Sequence, residues 1–163
     1  MKIEMQRDLF NRYPRAFRLG DNAPLDFWGI QCGEGWLSLI ERGAAAIEAE
    51  CVALEAKGEA QHHWPRVAQV KEKFGKLSFY IDSGADMFDG WRELMMDLSA
   101  LSAQTCEACG QPGTLYQAAW WHTYCDACES DYNRPDRERQ PSSYGDPDQY
   151  LVQLRRMLAE RQP

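Results

Sequence analysis

The sequence predicts an α+β fold, with helices packed on a small antiparallel β-hairpin, a four-cysteine zinc-ribbon lobe and a C-terminal helix. Three observations carry that expectation. Apolar residues recur at helical spacing in separated stretches, of which Trp36, Ile40, Ala44, Ile47, Cys51 and Leu54 form the longest. Leu77, Phe79 and Ile81 alternate with Ser78 and Tyr80 directly after the Phe74-Gly75 pair, the pattern of a strand leaving a tight turn. Two Cys-x-x-Cys pairs stand close together, Cys106 with Cys109 and Cys125 with Cys128.

In chain order, Glu4 to Tyr13 reads as a short helix stopped by Pro14. A loop rich in glycine and aromatic residues follows, through Phe27, Trp28, Gly29, Cys32, Gly33, Gly35 and Trp36. The helix from Trp36 to Lys57 ends at Gly58, with Glu48, Glu50, Glu55 and Glu59 on its expected wet side. Val67 to Lys73 and Lys76 to Asp82 form the hairpin, with Leu77, Phe79 and Ile81 facing the core. A second amphipathic helix is expected from Asp86 to Ala103, with Met87, Trp91, Leu94, Met95, Leu98 and Leu101 inward and Asp86, Asp89, Glu93 and Asp97 outward. It runs almost directly into Cys106.

Between the cysteine pairs, Thr114 to Ala118 and Trp120 to Tyr124 read as a small hairpin, in which extended backbone would send Trp120 and Trp121 to opposite faces. Residues 129–146, with Pro135, Pro141 and many charges, read as a linker. Asp146-Pro147 supplies an N-cap and a first-turn proline for a last helix with the face Tyr150, Leu151, Leu154, Met157 and Leu158. The expected organisation is therefore an α+β core over 1–104, a zinc lobe over 105–128, a linker over 129–146 and an amphipathic helix over 147–161.

Thiolates two residues apart on a tight turn can face one ion, and a second such turn completes a tetrahedron around Zn²⁺. Gly110 follows the first pair and permits the positive φ that turns amides toward the sulfurs. A disulfide pair and a redox Cys-x-x-Cys are the rival readings; His122 could replace one thiolate, but four cysteines suffice, and it reads rather as an exposed residue or one that supports the ligands. The doubled motif favours one structural zinc on Cys106, Cys109, Cys125 and Cys128. Cys32 and Cys51 are expected as buried free thiols.

Hydrophobic residues make up 44% of the 163, enough for a folded core, yet no apolar run approaches the ~18 residues that span a bilayer. The charged start lacks a signal-peptide stretch, so the expectation is a cytoplasmic chain whose cysteines bind metal. The net charge of −7 disfavours generic nucleic-acid binding, and no lysine or arginine lies between Arg92 and Arg134. The one basic island is Arg66, Lys71, Lys73 and Lys76 on the hairpin, read either as an edge that blocks stray strand pairing or as a docking surface.

Arg12-Tyr13-Pro14, Cys32-Gly33-Glu34-Gly35-Trp36, the run from Gln69 to Tyr80, the segment Thr105 to Gly113 and the segment Trp121 to Cys128 together resemble a family of small, uncharacterised bacterial and phage-borne zinc-ribbon proteins. The resemblance spans roughly positions 10 to 128. It implies a phage or prophage context, in which small proteins often act by binding host machinery, and it fixes no mechanism.

The functional expectation is a non-enzymatic zinc-binding protein acting through contact with a host or phage protein, including inhibition of a host defence complex. The candidate partner surface is Asp86, Asp89, Glu93 and Asp97 with Trp120 and Trp121. Self-association through the C-terminal helix is a further route. Two alternatives stand beside it: nucleic-acid binding through Arg66, Lys71, Lys73 and Lys76, and a thiol enzyme built on Cys32 with His62 or His63.

Overall fold

A computed structural model describes residues 1–19, 23–82, 88–117, 119–133 and 147–161. Among them are six α-helices and two separate two-stranded antiparallel sheets, so the α+β expectation holds. The order is α1 (Ile3–Arg12), α2 (Pro24–Trp28), α3 (Leu37–Ala56), β1 (Arg66–Lys73), β2 (Lys76–Asp82), α4 (Trp91–Ser102), β3 (Thr114–Gln117), β4 (Trp121–Tyr124), α5 (Asp126–Tyr132) and α6 (Pro147–Ala159). Single 3₁₀ turns at Glu34–Trp36 and Gln61–His63 introduce α3 and β1.

The long helix α3 forms where its apolar stripe demanded it. Trp36, Ile40, Ala44, Ile47 and Cys51 are buried in one core with Phe10, Phe17, Val67, Val70 and Leu98. The β1–β2 hairpin pairs Lys73 with Lys76 at its tip and Arg66 with Asp82 at its base, with one irregularity between Val67 and Gln69. Leu77 is buried, while Phe79 and Ile81 pack against the core from its margin. The outer edge of β1 is covered: Gln31 N–H donates to Val70 O, and Glu72 N–H donates to Gln31 O. Edge protection is thus supplied by backbone rather than by lysines alone.

The hairpin tip is a two-residue turn in which Phe74 (φ 54°) and Gly75 (φ 70°) are both left-handed. Such turns match strand twist and favour asparagine followed by glycine. Gly75 meets both demands of its site, since an added Cβ would collide with Leu115. Phe74 is the exception, a bulky side chain in a conformation that costs of order 1–3 kcal/mol.

Several expectations from the sequence are revised. Helix α4 begins at Trp91, and Asp86 and Met87 lie outside the described residues. The expected linker starts later than position 129, because α5 continues through Tyr132; positions 134–146 lie outside the described residues. Glu48 is not on a wet face: its Oε2 accepts the N–H groups of Arg15 and Ala16 at 2.9 Å each, and its Oε1 pairs with Arg15 Nη1 at 3.1 Å. It closes the turn that follows α1, satisfying backbone donors that Pro14 leaves outside the helix.

Helix α6 docks on its own chain. Tyr150, Leu154, Met157 and Leu158 are buried in the common core, against α1 and α2. Gln6 fixes the arrangement: Nε2 donates to Met1 O and to Tyr150 Oη, both at 2.8 Å, and Oε1 accepts Ile30 N–H at 2.8 Å. The face expected to offer a route to self-association is therefore already covered. No described helix is long and apolar enough to cross a membrane.

Candidate metal centre

The site begins where α4 ends. Thr105 Oγ1 donates back to Leu101 O at 2.9 Å, and the chain then turns through Cys106 to Gly113. Cys106 N–H donates to Gln111 O at 2.7 Å and Gly110 N–H to Cys106 O at 2.9 Å, with Gly110 at φ 78°. This closes the first knuckle. The second follows the β3–β4 hairpin, whose register runs from Thr114 opposite Tyr124 to Gln117 opposite Trp121. Cys125 is the N-cap of α5, so Cys128 lies in the first turn of that helix.

The four sulfurs of Cys106, Cys109, Cys125 and Cys128 lie within 4.8 Å of one another, with Cys109 and Cys125 Sγ 3.7 Å apart. Zinc–sulfur bonds of ~2.3 Å in a tetrahedron put sulfurs about 3.8 Å apart, so the cluster is already near the size of a zinc site. The donor set also fits. The backbone N–H of Cys128 and neighbouring thiols draw the Cys125 thiol down to about 7, whereas burial and its neighbours raise the Cys128 thiol, so binding an ion would have to release protons from the cluster. Such a zinc would supply a cross-link between the two knuckles; four thiolates leave no position for water or substrate. The arrangement is consistent with one bound metal ion such as zinc.

The knuckle is clamped to the body by the loop that precedes α3. Gly33 N–H donates to Glu107 Oε1 and Gly35 N–H to Glu107 O, both at 2.8 Å. Trp36 Nε1–H donates to Thr105 O at 2.7 Å from a fully buried indole. Gly35 lies so close that an added Cβ would strike Cys106 O and Gly110 N. Burial pushes the Glu107 carboxyl up to about 7. From the other side, Thr123 Oγ1 donates to Gly75 O at 2.6 Å, and Glu107 N–H donates to Thr123 O at 2.8 Å. The Cys32–Trp36 loop, the hairpin tip and the first knuckle, distant in sequence, thus meet in one place.

His122 stays out of the cysteine cluster. It is buried, its Nδ1 lies 3.0 Å from Trp120 O, and its Nε2 lies 2.5 Å from Glu129 Oε2. Tyr116, Tyr124 and Tyr132 pack around its ring. The imidazole therefore ties β4 to α5 and supports Cys128 through the adjacent Glu129, as groups outside a metal's ligand shell commonly do. Spacing alone offered no sign of the His122–Glu129 bond.

The other candidate residues divide. Trp120 and Trp121 are both on the surface, 69% and 39% exposed, and both line one groove with Lys73 and Lys76. The opposite-face expectation fails because Trp120 precedes β4, where strand alternation does not apply. Asp89, Glu93 and Asp97 are exposed, but none lines that groove. Arg66 leaves the basic island: it is buried and pairs with Asp82 at 3.1 Å and Asp26 at 3.7 Å. Lys71 lies over the Tyr80 ring and Lys73 over that of Phe74.

Cys32 and Cys51 are the buried free thiols expected. Cys51 Sγ–H donates to Pro65 O at 3.2 Å, and burial pushes this thiol up to about 11. Desolvation raises the Cys32 thiol well above its ordinary range, and its charged neighbours are Glu107, the Met1 amine and Glu72.

Fold and site together define an α+β chain carrying a four-cysteine cluster that fits one metal ion such as zinc. Comparison with known proteins adds no relative, since no family model, curated protein or solved structure matches the chain. No family is identified; what stands is the four-cysteine cluster itself.

Proposed function

We propose that this chain is a non-enzymatic, zinc-stapled protein that works by contact with another protein, in the phage or prophage context of the resemblance a host complex. The observation that carries the reading is a cluster of exposed aromatic side chains, in which Phe74 at the tip of the β1–β2 hairpin packs on Trp121 and lies beside Trp120 of a lobe whose four cysteines form a closed set. Exposed tryptophans are costly in water and dominate binding energy where they are covered.

The rival readings have less support. A thiol nucleophile needs an accessible, depressed thiol beside a base, whereas Cys32 is buried and its thiol is raised. His62 and His63 meet edge-on at the surface instead. Nucleic-acid binding through the hairpin loses Arg66 to its ion pairs. Three remaining lysines would give a salt slope of only about 3, at ~0.9 per phosphate contact.

The test is a partner captured from a related bacterial lysate with the zinc-loaded chain. Trp120→Ala is expected to weaken its retention at least ~10-fold, about 1.4 kcal/mol, with zinc content unchanged. Retention indifferent to both Trp120→Ala and Trp121→Ala would overturn the proposal, as would turnover of a small molecule that disappears in Cys32→Ala with zinc retained.

A further inference from the structure

The aromatic cluster is one wall of a built groove of about 910 Å³, lined by Lys73, Phe74, Lys76, Ser78, Trp120 and Trp121 among others. Lys76 and Ser99 are shared with an adjoining trough of about 460 Å³, which adds Arg92, Met95 and Met96. The two adjoin at these shared residues, making a stepped channel between the hairpin, α4 and the β3–β4 connection. Its lining charges are mainly positive. Lys73, Lys76 and Arg92 line it, and the one acidic lining residue among those described, Glu72, has Oε1 engaged by Gly75 N–H at 2.5 Å. In a chain of net charge −7 this is a local reversal.

We infer that this channel receives an acidic segment of a partner protein with apolar anchor residues, which would set its carboxylates against Lys73, Lys76 and Arg92 and its apolar side chains against Phe74, Trp120 and Met96. The inference rests on the proposed function and names the chemistry of the partner. Local charge complementarity selects such a segment. A nucleic-acid strand fits less well, because three cations neutralise few phosphates while the acidic remainder of the chain repels a polyanion. Phe74 supplies an independent argument. Asparagine would suit its left-handed φ better, yet the position holds a phenylalanine that is 64% exposed and packs edge-on to Trp121 at 6.0 Å. The site thus keeps an aromatic surface at the expense of turn geometry.

The walls come from two units. Lys73 to Ser78 belong to the hairpin, and Ala119 to Trp121 to the lobe that the cysteines hold. Loss of the lobe's fold would therefore remove one wall of the channel, although none of the four cysteines lines it.

Three labelled probes separate the outcomes by fluorescence anisotropy at physiological salt: a short peptide alternating glutamates with leucine and phenylalanine, its twin with lysine for every glutamate, and single-stranded oligothymidylate. The acidic peptide is expected to bind at least ~10-fold more tightly than the other two. The double variant Lys73→Glu/Lys76→Glu should weaken it by at least ~10-fold with zinc content unchanged. Phe74→Asn should weaken it while leaving the melting temperature equal or higher, a split that a merely structural role would not produce. Equal binding of the lysine twin, or tighter binding of oligothymidylate, overturns the inference. So does failure of the acidic peptide to bind while a captured partner still requires Trp120, a result that leaves the proposed function standing.

Discussion

Replacing Cys106 by serine is expected to abolish stoichiometric zinc binding and to unfold the lobe while the body survives. Residues 105–133 bury little apolar surface of their own: Cys106, His122 and Thr123 are their buried side chains among those described. A region that small would draw its stability from a bound ion, and structural zinc contributes apparent free energies of ~10–16 kcal/mol in comparably small folds. The body has its own core, from Phe10 through Trp36 and Val70 to Leu154, that includes none of the four ligands. Metal analysis should fall from one equivalent in the parent chain to a small fraction in Cys106→Ser. Amide exchange should accelerate over the lobe and remain slow in α3. Uniform loss of protection across both units would mean that the body depends on the lobe.

Trp36→Ala is expected to be the most damaging single change in the body. The indole is fully buried, and truncating a buried tryptophan costs ~3–5 kcal/mol through lost packing and the cavity left behind. Its Nε1–H also satisfies Thr105 O, one residue before the first ligand. Leaving that part-buried carbonyl unpaired adds at most about 1–3 kcal/mol. A domain of this kind has ~5–15 kcal/mol in total, so the alanine variant should be partly unfolded at room temperature. Trp36→Phe keeps most of the packing and loses only the hydrogen bond. It should remain folded, show a lower melting temperature and release zinc to a chelator faster than the parent. Unchanged zinc release in Trp36→Phe would mean that the body does not brace the knuckle.

The features legible in the sequence are those fixed by neighbours in the chain. The hairpin was readable because alternation and its turn lie within seventeen consecutive positions, from Arg66 to Asp82. The cysteine cluster was readable because ligand spacing is a local constraint. Pro147 marked the start of α6, and its apolar face marked it as a helix that must dock.

What escaped was decided at long range. Gln6 looks like any polar residue of a surface helix, yet it is fully buried because Tyr150, 144 positions away, meets it. Arg66 reads as a surface cation beside three lysines, and only Asp26 and Asp82 show why it turns inward. Glu48 sits on the polar side of its helix by periodicity, and the turn at Arg15 and Ala16 claims it. The convergence of Gly35, Gly75 and the knuckle is of the same kind. The sequence shows the segments separately, and only the folded chain shows that they build one joint.

X-ray absorption at the zinc edge of the purified chain probes the closed site most directly. The expected result is one equivalent of zinc surrounded by four sulfurs at ~2.3 Å, with no light-atom ligand. A shell containing nitrogen or oxygen in place of a sulfur would contradict it, because an open or exchangeable position would return the metal to chemistry and remove the main reason for reading this protein as a binder.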